Sequence, residues 1–219
     1  MRLNISIQQY DKPLLFICLA LCAFGTIMLY SASWGQSFIR SGGLTESLFL
    51  KGHLIRILLG FICMFIFLLI DYRSLKLIAP YLLIVSFLLL IFTKSYYILL
   101  GNTKPARWLS IGGFSIQTSD IARLSLIIFL SFYLDQLKLQ IKNFKSGFLP
   151  CIIIIALMMA LIIIQPDFST ALIIGAIGTI ILFIAGAKVK HILISTLFAM
   201  IMSIPIVYFK PYRLARILS

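Results

Sequence analysis

Long apolar runs recur about seven times along this chain, and that recurrence constrains the fold more than any other feature. In hydrocarbon every backbone N–H and C=O must find a partner inside the protein, so only helices and closed barrels cross a bilayer. A spanning helix needs about 20 apolar residues, whereas a barrel strand needs about 10 of alternating polarity. The runs here are continuous, dominated by Leu and Ile, and punctuated by polar residues between runs, so helices are expected. The expected spans are Pro13–Tyr30, Leu54–Ile70, Leu77–Phe92, Ile121–Leu134, Leu149–Ile164, Ser169–Ala187 and Ile192–Tyr208. Ile121–Leu134 is short, and it reaches spanning length only if Asp120 and Arg123 lie near its end or the helix runs past Leu134. With 62% hydrophobic and 11% charged residues, the chain is far more apolar than a soluble domain of 219 residues needs to be. The reading is an all-α polytopic membrane protein, with 1–219 a single transmembrane domain and no soluble domain.

The formal net charge of +13 does not point to nucleic acid. Its basic residues are dispersed among the spans with no basic module of their own, so a membrane surface is the better partner. Arg2 and Lys12 precede an apolar run that ends near Ser31-Ala-Ser33, a signal-peptide-like arrangement. That run is longer than a signal core and further spans follow it, so an uncleaved first helix is expected. Basic side chains barely separate the two faces. With the N-terminus inside, Arg40, Lys51, Arg56, Lys94, Lys104, Arg107 and Arg123 fall outside, with Lys210, Arg213 and Arg216 in the tail. This surplus of outer cations suggests an anionic ligand there, although Lys51, Arg56 and Lys94 suit lipid headgroups. Residues 31–52 read as a polar outer loop. Residues 135–148 read as a basic inner loop, with Leu137, Leu139, Ile141 and Phe144 interleaved for the membrane surface. Cys18, Cys22, Cys63 and Cys151 all lie in apolar spans without His or carboxylate partners at ligand spacing, so no metal site is expected.

Two breaks between spans place charged and amide side chains beside hydrocarbon, where such groups are costly and usually functional. The first runs from Lys104 to Arg123. Pro105 interrupts any helix, Gly112-Gly113 permits a tight turn, and Trp108 suits the membrane interface. Thr118 or Ser119 can cap the helix that follows, and Asp120 and Arg123, three apart, can form a structural ion pair. Arg107 has no acid nearby in sequence, and its guanidinium suits a phosphate or pyrophosphate. The second break is Gln165-Pro-Asp167. Pro166 ends one span, and Asp167 can cap the next helix. Gln165 adds a second polar group at the same edge, so Arg107, Trp108, Gln165 and Asp167 are the candidate substrate-binding residues. Asp71-Tyr72-Arg73 reads as an interfacial anchor, and His53 and His191 lie at span edges. The P-loop, zinc, nucleophile-elbow and dinucleotide motifs are absent.

At these residues the chain resembles the SEDS family (shape, elongation, division and sporulation), bacterial ten-span proteins typified by FtsW and RodA. The matching pieces are Gly25-Thr-Ile-Met-Leu-Tyr-Ser-Ala-Ser33, Asp71-Tyr-Arg73, Ala106-Arg-Trp-Leu-Ser-Ile-Gly-Gly-Phe-Ser-Ile-Gln117, Ser119-Asp-Ile-Ala-Arg-Leu124, Gln165-Pro-Asp-Phe-Ser-Thr-Ala171, Leu182-Phe-Ile-Ala-Gly186 and Tyr212-Arg-Leu-Ala-Arg216. They occur in family order. Phe168 and the wording from Arg107 to Ser115 are closer to the division branch, FtsW-like, than to the elongation branch, RodA-like.

The resemblance implies a peptidoglycan glycosyltransferase of septal wall synthesis, in the bacterial cytoplasmic membrane with its N-terminus in the cytoplasm. Its substrates would be lipid II and a glycan on polyprenyl pyrophosphate. Its partners would be a class B penicillin-binding protein and other divisome membrane proteins. Where the family has Pro-Ser-Glu with Lys three residues later, this chain has Thr118-Ser-Asp120 and Arg123, which keeps the charge signs. Family members continue past the Tyr-Arg-x-x-Arg region into a loop carrying the aspartate thought to be the catalytic base. This chain stops at Ser219, before it, so an incomplete SEDS domain is expected and the catalytic residue stays unassigned. Arg107 would face the pyrophosphate, with Arg213 and Arg216 as weaker candidates, and Gln165 and Asp167 would shape the sugar side. No cofactor is identified. A divalent cation could neutralise pyrophosphate, but no ligand set is visible. Two rival readings remain: a flippase or transporter of a lipid-linked precursor, and a non-catalytic divisome scaffold. Charge clustering at span ends rather than mid-span favours surface chemistry over passage.

Overall fold

The computed structural model describes residues 11–40, 42, 47–99, 107–111 and 114–208. The described residues form seven α-helices, with one β-hairpin in the break before the fourth. The helices are α1 Lys12–Arg40, α2 Leu48–Leu69, α3 Leu75–Leu99, α4 Thr118–Leu137, α5 Leu149–Ile164, α6 Phe168–Ile184 and α7 Val189–Tyr208. The strands are β1 Trp108–Ile111 and β2 Phe114–Gln117. Each expected span therefore has its helix. Among the described residues, Lys12–Ile39, Phe49–Leu69, Tyr72–Leu99 and Phe144–Ile164 are long and apolar enough to cross a membrane, and Phe168–Ile184 and Val189–Met202 are shorter apolar helices. The protein is a multi-pass membrane protein. The fold divides into two compact units, Met1–Ser74 and Leu75–Ser219.

In the first unit, Asp11 opens α1 by accepting a hydrogen bond from the Leu14 N–H at 3.1 Å, and Pro13 occupies the first turn, where its missing N–H costs nothing. The polar loop expected over 31–52 is corrected. The helix runs unbroken to Arg40, because Ser31 to Gln36 contain no proline and the Trp34 and Phe38 rings stack four residues apart at 6.5 Å. Helix α2 packs against α1 and ends at Ile70, which is extended. Asp71 then accepts from the Arg73 N–H at 2.9 Å, which closes a short 3-10 turn over Tyr72–Ser74.

In the second unit, α3 to α6 each bury one narrow stripe. On α3 it is Ala79, Leu83, Ser86, Leu90 and Thr93; on α5 Cys151, Ile155, Met158 and Ile162; on α6 Ala171, Ile174, Gly178 and Leu182. The three-and-four spacing puts each stripe on one helix face. Helix α4 contributes Ala122, Ser125, Leu126, Leu130 and Leu134. Small residues in these stripes bring helices close, as membrane packing requires when lipid is as apolar as leucine. At Gly178 an added Cβ would lie 2.7 Å from Ile155 Cδ1. Between α3 and α4 the Ser125 hydroxyl donates to the buried Ser86 hydroxyl at 2.8 Å, and Ser86 donates to the Leu83 carbonyl at 2.8 Å. Helix α4 runs past Ile121–Leu134 at both ends, which gives it 20 residues.

The stretch expected as a basic loop over 135–148 is ordered. Helix α4 continues into a 3-10 turn, Lys138–Lys142, and then a π turn, Phe144–Phe148, before α5. Ile141 and Phe148 are buried there, and Gly147 packs against the Gln140 carbonyl and within 2.6 Å of Ile141 Cα, measured from an added Cβ. Backbone cannot yield as a side-chain tip can. Gly147→Ala is therefore expected to lower stability by roughly 1–3 kcal/mol, whereas Gly60→Ala, with nothing within 4 Å, should cost nothing. Thermal unfolding in detergent compares the two, and equal midpoints would show that the turn tolerates the methyl group.

Candidate functional site

The hairpin is antiparallel, with Trp108 opposite Gln117, Leu109 opposite Ile116, Ser110 opposite Ser115 and Ile111 opposite Phe114. Gly112-Gly113, expected to turn tightly, lie outside the described residues, as do Lys104, Pro105, Arg213 and Arg216. The register sets the geometry. It brings Arg107, one residue before β1, beside Gln117, the last residue of β2, at the end where α4 begins. Tyr97 of α3 steadies this end by donating its hydroxyl to the Trp108 carbonyl at 3.0 Å.

Both strands grip the junction between α5 and α6 from this open end of the hairpin. Arg107 donates through Nη2 to the Pro166 carbonyl, 59 residues away in sequence. Its Nη1 lies 4.0 Å from Asp167 Oδ1. Gln117 donates through Nε2 to Asp167 Oδ2 at 3.2 Å. Asp167 also caps α6, accepting from the Thr170 N–H at 3.4 Å. One nearly buried carboxylate thus serves a helix cap, an amide and a guanidinium at once, which keeps its charge compensated. Arg107 is thus partnered in the fold, although no acid stands near it in sequence. Its Nε is buried without a partner among the described residues.

Gln165 sits differently from Asp167. It is 1% exposed and donates through Nε2 to the Leu90 carbonyl of α3 at 2.8 Å. Its amide is spent on bracing α5 against α3, directly beneath the junction. Trp108 is exposed. Asp120 and Arg123 pair at 2.9 Å on the exposed face of α4. The capping expected of Thr118 or Ser119 is corrected. Gln117 occupies the N-cap position without a side-chain cap bond. Thr118 and Ser119 lie inside the first turn, where both hydroxyls are buried without a partner. Among the described residues no three His, Cys, Asp or Glu side chains converge as a metal would need.

Gln117 and Tyr97 were not singled out from the sequence. A signal for Gln117 existed, since Gly-Gly between short β-prone runs marks a hairpin and the pairing then places residue 117 opposite 108.

The family described as FTSW_RODA_SPOVE, cell cycle protein, matches residues 12–219. The chain is 33% identical over 219 residues to a probable peptidoglycan glycosyltransferase FtsW of Trichlorobacter lovleyi, covering 99% of this chain and 56% of that protein. It is 29% identical over 211 residues to stage V sporulation protein E of Bacillus subtilis, covering 95% of this chain and 57% of that protein. The chain thus spans little more than half the length of these relatives. Among solved structures, the fold is similar to Thermus thermophilus rod shape determining protein RodA, with a TM-score of 0.70 at 22% identity, covering 90% of this chain and 60% of that one. It is also similar to a chain of a peptidoglycan synthase complex, with a TM-score of 0.62 at 22% identity, covering 89% and 57%.

The cap and the charge of Asp167 can be separated. Asp167→Asn retains a capping oxygen and should unfold close to the parent, whereas Asp167→Ala loses the cap and should cost about 0.5–2 kcal/mol. Thermal unfolding in detergent reads the difference. An Asn variant as unstable as the Ala variant would mean that the charge facing Arg107, rather than the cap, holds the junction.

Proposed function

Because this chain belongs to the FTSW_RODA_SPOVE cell cycle protein family, the SEDS family of its sequence motifs, we propose that it serves as a peptidoglycan glycosyltransferase of septal wall synthesis. Its FtsW relatives at 31–34% identity bear that activity in their names, which supports the reading. The observation that carries it to particular residues is the meeting of Arg107 with the Pro166-Asp167 junction. Two breaks far apart in sequence meet at one polar end of the second unit.

The reaction is transfer of a growing glycan from its lipid pyrophosphate to the 4-hydroxyl of lipid II. The anomeric carbon's bond to the pyrophosphate oxygen breaks as its bond to the acceptor oxygen forms. A carboxylate base takes the hydroxyl proton, and cations stabilise the departing pyrophosphate. Arg107 is the phosphate-facing group. Its ties to Pro166 and Asp167 fix the plane of the guanidinium, which lowers the ordering cost of binding a phosphate. Trp108 sits at the interface beside it. Asp167 and Gln165 act by holding Arg107's surroundings in place, and the base is not assigned to a residue of 1–219. The partner is a class B penicillin-binding protein, together with other divisome membrane proteins. The chain lies in the cytoplasmic membrane with its N-terminus inside and the hairpin outside.

Binding of lipid II to the purified chain, measured in detergent, tests the role of Arg107. A lost charged hydrogen bond costs roughly 1.5–3 kcal/mol, so Arg107→Ala should weaken binding about ten- to a hundredfold. Arg107→Lys should fall between Ala and the parent, with helix content unchanged. Both variants binding within a small factor of the parent would remove Arg107 from the substrate site. Orientation has its own test. With the native cysteines replaced, Ser115→Cys should react with an impermeant thiol reagent from outside the cell and Lys142→Cys should not. The reverse pattern would turn the hairpin to the cytoplasm and sink the outer-face reading.

A further inference from the structure

The end of the second unit remote from the hairpin carries a charge pattern that the glycosyltransferase reading does not use. Helix α4 leads away from the hairpin, α5 returns to Gln165, and α6 leads away again from Asp167. The α4–α5 and α6–α7 connections therefore share one end. Ring contacts confirm it: the His191 ring lies 5.2 Å from Phe144 and 5.5 Å from Phe148. The start of α3 joins them through Lys76, which pairs with Asp135 at 2.6 Å. This end holds Lys76, Lys138, Lys142, Lys145, Lys188 and Lys190 against the single acid Asp135, six lysines to one aspartate and a formal excess of five. Asp135 is already engaged by Lys76, which holds its carboxyl below the usual aspartate range, with Lys138 adding a weaker pull. Among the described residues none of the other lysines makes a salt bridge, and all are exposed.

These lysines stand on ordered backbone. The N–H groups of Gly147 and Phe148 both donate to the Asn143 carbonyl at 3.1 Å, and Asn143 donates to Gln140 at 2.9 Å. Across the gap, Ala187 donates to Leu182 at 3.1 Å, and Gly186 adopts a φ of +85°, which closes α6. Phe144 stacks on Phe148 at 6.0 Å while remaining largely exposed. It is also the first residue of the membrane-length stretch Phe144–Ile164. Lys142 and Lys145 thus flank the first residue of that apolar stretch.

We propose that the paired α4–α5 and α6–α7 turns form a binding site for the phosphate headgroup of an anionic phospholipid, with Phe144 seated among the upper acyl carbons. Lysine suits this role as a flexible point charge that needs no fixed fork, and basic clusters of this kind at the membrane surface recognise acidic headgroups. The inference stands on the membrane fold alone and is independent of the reaction assigned to the opposite end.

The test uses the purified chain in an uncharged detergent at low ionic strength, titrated with dioleoyl phosphatidylglycerol, dioleoyl phosphatidylcholine or inorganic phosphate, with bound lipid counted by native mass spectrometry. Phosphatidylglycerol should bind in preference to phosphatidylcholine, and inorganic phosphate should not displace it at matched concentration. The double variants Lys142→Gln with Lys145→Gln, and Lys188→Gln with Lys190→Gln, should each weaken phosphatidylglycerol binding about thirtyfold, at about fivefold per lysine. The corresponding Arg pairs should restore it. Equal binding of the two lipids, or Gln pairs that keep the parent's preference, would overturn the site. Displacement by inorganic phosphate would reassign it to a small free anion. Circular dichroism of each variant, matched to the parent, ties any loss to the missing charge.

Discussion

Lipid offers a helix the same apolar surroundings on every side, and the second unit is organised around that constraint. Burying leucine against leucine gains little over burying it against an acyl chain, so close fit and shared hydrogen bonds decide which faces meet. The buried stripes of α3 to α6 answer this with Ala79, Ser86, Ala122, Ser125, Ala171 and Gly178 at the contacts. The Ser125–Ser86 hydrogen bond sits where no water competes for either hydroxyl. Everything at the polar end rests on this packing. Gln165 ties α5 to α3 by donating to the Leu90 carbonyl, while α3 packs chiefly on α4 and α5 on α6.

The polar end then works by mutual satisfaction. Asp167 would be expensive at the edge of hydrocarbon on its own. It is tolerable because a helix N-terminus, an amide and a guanidinium each stabilise its charge from a different direction. The same contacts restrain Arg107. A residue that reads as a free cation in sequence is, in the fold, one half of a compensated pair held in place by the junction it meets.

How much of this was legible depends on the range of the interaction. Helices that stop at residues of special chemistry could be read directly. Leu149–Ile164 agrees with α5 at both ends because Pro150 opens it and Pro166 forbids its continuation. The stretch after Tyr30 misled because serines and glycines resemble a loop, while the ring stacking of Trp34 and Phe38 that favours the helix is a property of the folded face. Thr118 and Ser119 have capping chemistry, yet the strand before them sets the helix start one residue too early for either to cap. Arg107 and Asp167 were each singled out, but their pairing spans 60 positions, and although Gly-Gly marks the hairpin, no local signal says which helix junction the hairpin meets. Gln165 was grouped with Asp167 by adjacency, whereas helix geometry turns the two side chains to different neighbours.

The hairpin carries one more consequence. Two strands of four residues can satisfy only the backbone groups that face each other, so their outer edges keep bare N–H and C=O groups, of which Tyr97 relieves one. Such edges are forbidden in hydrocarbon and unremarkable among headgroups and water. The ribbon is therefore a depth gauge. It cannot sink, and the exposed apolar surfaces of Trp108 and Ile116 give it reason not to rise. Since Arg107 and Gln117 meet at its open end, their donors are held at whatever level the ribbon takes.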